Sequence, residues 1–295
     1  MNKKRKEQRL KPGAYLTLPS VGMLLCLMIV PLVMLIVFSF MNRNMFPGRP
    51  WPGWTLDNWI RLMEAEVFWQ LLIKSLGMAA LATVVVIIIA YPTAWCIAKY
   101  VKPERRTVFM MMVILPFFTS QLLLFYAMIN LIQNNGILMT IFGNLGIQIE
   151  SIMYSNKATM LLLIYAYVPY MILCLYSSLE GIDDYWLQAS TVLGASPWKT
   201  FTNIIFPMSI PGLLSGVLLV FVPLTASFEV SELVGGSSGM MVGYLVNAQY
   251  KGNLNMGYGA TLSCTLLVIL SVIMAVISYI TKRVQIRIGG EMDES

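Results

Sequence analysis

The sequence predicts an all-α integral membrane protein with six transmembrane helices and both termini cytoplasmic. Three observations predict it. Hydrophobic residues make up 58% of the 295 residues and charged residues 12%, about half the charge that soluble globular chains carry. The apolar residues gather into six runs of about 20 residues or more, the length of helix that crosses a bilayer. With the N-terminus inside, fourteen of the twenty Lys and Arg residues fall on the cytoplasmic side, the asymmetry that orients membrane helices.

The elements follow in order. Residues 1–14 form a cytoplasmic tail with Lys3, Lys4, Arg5, Lys6, Arg9 and Lys11. The first span covers residues 15–40; it is too long for a secretory leader and lacks a clean small-residue cleavage site, so an uncleaved helix is expected. An outer loop then carries Trp51, Trp54, Trp59 and Trp69 with Asp57, Glu64 and Glu66. Such a segment lies on the membrane surface through its interfacial tryptophans or docks an outside partner. Residues 15–70 are taken as one region and residues 71–281 as the core transmembrane domain. The remaining spans are read at residues 71–98, 108–132, 158–178, 204–228 and 258–281, and residues 282–295 form a second cytoplasmic tail. Prolines punctuate these runs, at Pro19, Pro31, Pro92, Pro116, Pro169, Pro207, Pro211 and Pro223. Proline frees a backbone carbonyl and kinks a helix, and three in the fifth span predict a broken helix lining a path. Cys26, Cys96, Cys174 and Cys264 each stand alone in an apolar run. They read as small buried apolar residues, with no disulfide framework or zinc spacing among them.

The loop between the fourth and fifth spans interrupts this pattern. Asp183 and Asp184 suit a helix N-terminus, the run from Tyr185 to Leu193 has no Gly or Pro, and Gly194 lets the chain turn. Ser196 and Pro197 are a helix restart, a capping hydroxyl followed by proline at the first helical position. Trp198, Phe201 and Ile205 then recur at spacings of three and four as one apolar stripe. The segment reads as helix, glycine turn and helix leading into the fifth span. Local chemistry alone also fits two amphipathic helices resting on the inner leaflet.

The residue order is more specific. Gln188, Ala189 and Ser190 are followed after three residues by Gly194, and after nine more by Ile204, Ile205, Phe206 and Pro207. This resembles the E-A-A-x3-G-x9-I-x-L-P motif of bacterial ABC-transporter permeases, with Gln188, Ser190 and Phe206 replacing the motif's letters. The stretches TLDNWIRL (55–62), YPTAWCIAKY (91–100), LPFFTSQLLLFYAM (115–128) and SFEVSELVGG (227–236) are similar to the spermidine/putrescine branch, and most to the first of its two permease subunits. The resemblance implies the type I ABC importer permease fold in a bacterial cytoplasmic (inner) membrane, with polyamines as cargo; relatives of the branch carry other solutes, including aminophosphonates and opines. It implies a second permease subunit, two copies of a cytoplasmic ATP-binding subunit that bind the ATP and Mg, and an extracytoplasmic substrate-binding protein. It also implies that residues 185–201 form the coupling helix, with Gln188, Ala189, Ser190, Gly194, Ala195, Ser196, Pro197 and Trp198 facing the ATPase. Gln188 removes the carboxylate that the motif places there.

The chain has no GxxxxGK[ST] phosphate loop and no HExxH. It has no histidine, hence no imidazole base, so a transport subunit rather than an enzyme is expected. A path for flexible cations wants carboxylates and aromatic faces. Glu229 and Glu232, beside Phe228, share one face if the fifth helix continues past residue 228; a solvated helix end is the plainer reading. Gly235, Gly236 and Gly239 make either an outer gate loop or an ordinary connector. Polar groups inside a membrane are costly and often functional, which adds Thr119, Ser120, Gln121, Tyr126 and Asn130 in the third span and Tyr165, Tyr167 and Tyr170 in the fourth. Interhelical hydrogen bonding would account for the same residues. No Lys or Arg lies deep in the spans, which favours a cationic cargo. A lone ion-coupled secondary transporter would show structural repeats and intramembrane charges, and neither is evident.

Overall fold

The computed structural model describes residues 13–42, 53–144 and 152–293. Residues 1–12 of the cytoplasmic tail expected at residues 1–14, together with Arg43, Arg49 and Trp51, lie outside them. The described residues are helices joined by turns and short extended segments, with one isolated antiparallel bridge between Met41 and Trp54. Among the described residues, six stretches are long and apolar enough to cross a membrane: Pro19–Ser39, Glu66–Tyr100, Gln121–Ile141, Asn156–Glu180, Pro197–Ala226 and Met256–Arg283.

The chain divides into two compact units, residues 1–64 with 249–265 and residues 65–248 with 266–295. In the first, α1 (Gly13–Ser39) is followed by α2 (Asp57–Met63). Helix α1 is apolar all round and exposed from Ser20 to Leu32, as suits a helix surrounded by lipid. Its last carbonyls are capped by the Asn58 side-chain amide, which donates to the Ser39 and Met41 carbonyls at 3.2 and 2.8 Å. The Arg61 guanidinium lies 4.3 Å from the centre of the Tyr258 ring, a cation–π contact.

The second unit is built on three long helices, α3 (Glu66–Trp95), α7 (Asn156–Glu180) and α10 (Phe206–Ala226), with α7 packed against both others. Helix α3 offers Ala79, Ala82, Val86, Ala90 and Ala94, all fully buried, at the three-to-four spacing of one helix face. On α10, Gly212 and Gly216 meet α7. A Cβ at Gly212 would stand 2.4 Å from Ser178 Cβ and 2.7 Å from the Cys174 carbonyl. Membrane helices associate through such small residues because lipid offers no hydrophobic drive between them.

Four expectations are corrected. The third span is not one helix over residues 108–132. Helix α4 (Pro103–Ile114) passes into a single 3₁₀ turn, Leu115–Phe118; the chain is extended at Thr119 and Ser120 and restarts as α5 (Gln121–Ile132), then α6 (Ile137–Asn144). Pro116 starts the break, since its ring cannot sit in a helix interior without losing a hydrogen bond. The fifth span, by contrast, is not broken at its prolines: α10 runs from Phe206 to Ala226 through Pro211 and Pro223. The irregularity lies just before it, in a π-helical turn over Phe201–Ile205 that meets Pro207 at the start of α10. Nor does that helix continue to Glu232; it stops at Ala226, Ser227 is extended, and a separate short helical stretch covers Glu229–Gly235. The cysteines are not uniformly buried: Cys264 is, Cys174 is half-buried, and Cys26 and Cys96 are exposed on outward helix faces.

Candidate functional site

Two places concentrate the residues singled out from the sequence. The first is the loop between α7 and α10. Helix α8 (Asp184–Val192) starts on Asp183, whose carboxylate accepts from the Tyr185 N–H at 2.9 Å. It ends in a Schellman turn: the Ala195 N–H donates to the Ser190 carbonyl and the Gly194 N–H to the Thr191 carbonyl, both at 3.0 Å. Gly194 takes φ +73° with nothing within 4 Å of where a Cβ would stand, so backbone conformation and not crowding demands the glycine. Ser196 caps α9 (Pro197–Thr200), accepting from the Lys199 N–H at 3.4 Å. A side-chain bridge from Ser190 Oγ to Thr200 Oγ1 at 3.0 Å closes the two short helices together. The outward surface is apolar and open: Val192, Leu193 and Trp198 are exposed, at 87%, 85% and 72%. Gln188 is exposed beside half-buried Ala189.

Behind the loop lies an aromatic cluster. Phe201 stacks on Trp198 with ring centres 5.7 Å apart and meets Tyr91 and Trp95 of α3 at 5.6 and 5.5 Å. Ile205, the third member of the expected stripe, is buried. Lys99, in a π-helical turn (Cys96–Tyr100) that ends α3, pairs with Asp184 at 2.8 Å. The hydrogen bond and charge of Lys99 hold the Asp184 carboxyl below its ordinary range.

The second place is a cavity of about 220 Å³ at the break in the third span, lined by Pro116, Phe117, Thr119, Gln121, Leu124, Ala166, Pro169 and Tyr170. The Phe117 and Tyr170 rings meet edge to face at 4.5 Å, and Tyr170 lies 5.5 Å from Tyr167. Tyr167 is buried. The Gln121 side chain lies near its hydroxyl, and the Glu229 carboxylate is farther off. Half-buried Glu229 is thus in the neighbourhood of Tyr167 but does not line the cavity. Glu232 is exposed and accepts from Asn247 Nδ2 at 3.3 Å. Phe228 sits half-buried at the turn between α10 and Glu229, and Tyr126 and Tyr165 are exposed and do not line the cavity. Phe117 escaped the sequence reading because it is one apolar residue among many; only its place beside Pro116 could have marked it.

The glycines after Glu232 are used for close packing. Gly235 and Gly239 are buried, and a Cβ on Gly239 would stand 2.5 Å from Gly235 Cα. The Gly239 carbonyl accepts from Ser231 Oγ at 3.1 Å and Thr159 Oγ1 at 3.4 Å. Gly236 takes φ +54° against Tyr154. Helix α11 (Val242–Lys251) follows.

Residues 90–286, which include both places, match the family described as binding-protein-dependent transport system inner membrane component. The chain belongs to this family. It is 33% identical over 260 residues to the spermidine/putrescine transport system permease protein PotB of Salmonella typhimurium (strain SL1344), covering 87% of this chain and 89% of that protein. It is also 33% identical over 259 residues to PotB of Escherichia coli (strain K12), covering 87% and 93%. The crystal structure of a bacterial ABC transporter involved in the import of the acidic polysaccharide alginate superimposes with a TM-score of 0.75 at 15% identity, over 92% of this chain and 94% of that one. At that identity the likeness is one of fold, and the fold is that of an ABC importer permease.

Proposed function

We propose that this permease carries polyamines, spermidine or putrescine, inward across a bacterial cytoplasmic membrane, within a complex of a second permease subunit, two ATP-binding subunits and an extracytoplasmic binding protein. The observation that carries the cargo class is the aromatic cavity at residues 116–170, where Phe117 and Tyr170 meet edge to face and Tyr170 adjoins Tyr167; the half-buried carboxylate of Glu229 lies farther off, outside the lining but within electrostatic range of Tyr167. Aromatic faces and a carboxylate attract an organic ammonium when both are shielded from water. The likeness to PotB supports the same reading. No Lys or Arg lines the cavity, which an anionic cargo would want.

In this reading both termini and the α8–α9 loop are cytoplasmic. The exposed Val192, Leu193 and Trp198 are the surface that an ATP-binding subunit covers, and Gln188, Ala189, Ser190, Gly194, Ala195, Ser196 and Pro197 shape it. ATP and its Mg bind to those subunits, and the chain's own residues bind and pass the cargo. Gly235 and Gly236 border the outer entrance.

The test is ATP hydrolysis and uptake by the reconstituted complex with its binding protein, against spermidine, putrescine, an aminophosphonate and an opine. Stimulation by the polyamines alone is the expected result, and stimulation by an anionic ligand would overturn the cargo. Glu229→Gln is expected to cut polyamine uptake by about tenfold or more, the scale of a lost charged hydrogen bond.

A further inference from the structure

Helix α3 is tied at its two ends to two different loops. At its C-terminal end the π turn is closed by the Val101 N–H on the Cys96 carbonyl at 3.1 Å. Lys99 there has a side chain only 8% exposed, so its ammonium is not spent on lipid headgroups or water. It donates to the Ile182 carbonyl at 2.5 Å and to Asp184 Oδ1 at 2.8 Å, at the entry to the α8–α9 loop. One turn earlier Trp95 packs on Phe201, at the loop's exit, with ring centres 5.5 Å apart. The two contacts act differently. The tilted Trp95–Phe201 rings hold by non-directional packing, whereas the charged hydrogen bond is directional and roughly twice as strong as a neutral one.

At the other end of α3, Lys74 Nζ donates to the Ser238 carbonyl. The hydroxyl of fully buried Ser75 accepts from the Val242 N–H at 2.7 Å. Between these anchors the helix is continuous from Glu66 to Trp95. From Lys74 to Lys99, at about 1.5 Å per residue, it spans roughly 37 Å, more than the thickness of about 30 Å of a hydrocarbon core.

We propose that Lys99 is the positioning residue through which the α8–α9 loop pulls on α3, and that α3, held at its far end by Lys74 and Ser75, carries the displacement to the 235–242 segment. The inference rests on the reading of the α8–α9 loop as the contact with the ATP-binding subunit. The Phe201 contact resists separation only through non-directional packing, whereas the tie adds a directional, charge-assisted hold on the loop's entry. The tie is chemical and specific: an ammonium on a carbonyl and a carboxylate, where an apolar side chain would pack as well.

The experiment uses the whole complex in liposomes, with spermidine as the probe, and reads spermidine taken up per ATP hydrolysed alongside the basal ATPase rate. Lys99→Met keeps the apolar stem. Its expected result is an assembled complex with unchanged basal hydrolysis and an uptake-to-ATP ratio lower by about fivefold or more, the lower end of coupling between sites. Lys99→Arg is expected to recover the ratio. Adding Asp184→Asn to Lys99→Met should cost nothing further, since one tie is lost once. Ser75→Ala should lower the same ratio from the far end. An unchanged ratio in Lys99→Met overturns the proposal; if that variant does not assemble, unchanged ratios in Asp184→Asn and Ser75→Ala overturn it instead. A wild-type complex that moves no spermidine yet hydrolyses ATP with its binding protein sinks the cargo and not the tie, which is then read as the stimulated-to-basal ATPase ratio. Failure of any ATP-binding subunit to associate sinks both.

Discussion

At the scale of single residues, conformation and charge decide more than contact. Gly194 holds φ +73° in open space, so the effect of replacing it is separable from crowding. Gly194→Ala is expected to weaken the α8–α9 turn by about 1 kcal/mol, the cost of a Cβ in the left-handed region, and Gly194→Asn by less. Faster amide exchange in residues 188–196 for alanine, partly restored by asparagine, is the signature; equal exchange in all three would show that the glycine is dispensable. Asp184 obeys a simple linkage. Its folded-state carboxyl is held below the unfolded value of 3.8, first by the Lys99 hydrogen bond and then by its charge. A depressed acid contributes stability above the unfolded value and loses it only as pH falls through the folded one. The tie to Lys99 therefore stays intact across about pH 5 to 8, and any pH dependence of transport in that window belongs to other groups. A profile of uptake against pH in Asp184→Asn should keep the wild-type shape there; a changed shape would refute the assignment.

At the scale of elements, helices α7 and α10 meet through Gly212 and Gly216, which differ in what surrounds them. A Cβ at Gly212 meets the Ser178 Cβ and the Cys174 backbone, which cannot yield without moving a helix; at Gly216 the nearest atom is Met171 Sδ at 2.5 Å, in a flexible side chain. Gly212→Ala is expected to cost about 1–3 kcal/mol, the usual range for overpacking, and Gly216→Ala less; melting of the purified permease tests the order, and equal losses would contradict it. The spans themselves were legible in the sequence, because a run of about 20 apolar residues has few alternatives. The α8–α9 loop was legible too, since Asp183, Gly194, Ser196 and Pro197 act on their immediate neighbours. The break at Pro116 was not. Pro92, Pro169, Pro211 and Pro223 look the same in the sequence and sit inside continuous helices. Whether a proline breaks a helix depends on which neighbours satisfy the freed groups, and those neighbours are distant in the chain. The cavity inherits that limit: Gln121 and Tyr170 were visible as polar or aromatic residues, but their meeting with Phe117 around one cavity depends on the break. The cysteines failed for a related reason, because lipid-facing and protein-facing positions are equally apolar, and Cys26 and Cys96 turn outward.

At the scale of the whole molecule, the expected orientation in the membrane follows from charge rather than from packing. The positive residues of the first tail, of residues 99–106 and of residues 282–287 fall on one side if the spans alternate, and a bilayer retains such charge on the cytoplasmic face. On that expectation Thr191, exposed on α8, lies inside, and Ser237, exposed in the segment after Glu232, lies outside. Cysteine labelling separates the two arrangements. In a background with Cys26, Cys96, Cys174 and Cys264 replaced by alanine, a membrane-impermeant maleimide should label Ser237→Cys in right-side-out vesicles and leave Thr191→Cys untouched. In inverted vesicles stripped of the ATP-binding subunit the pattern should reverse. Adding that subunit back should shield Thr191→Cys again, because the apolar surface of Val192, Leu193 and Trp198 beside it is then covered. Labelling of Thr191→Cys from the outer face would invert the molecule. It would also remove the α8–α9 loop from any contact with a cytoplasmic ATPase, and with it the role given to Lys99.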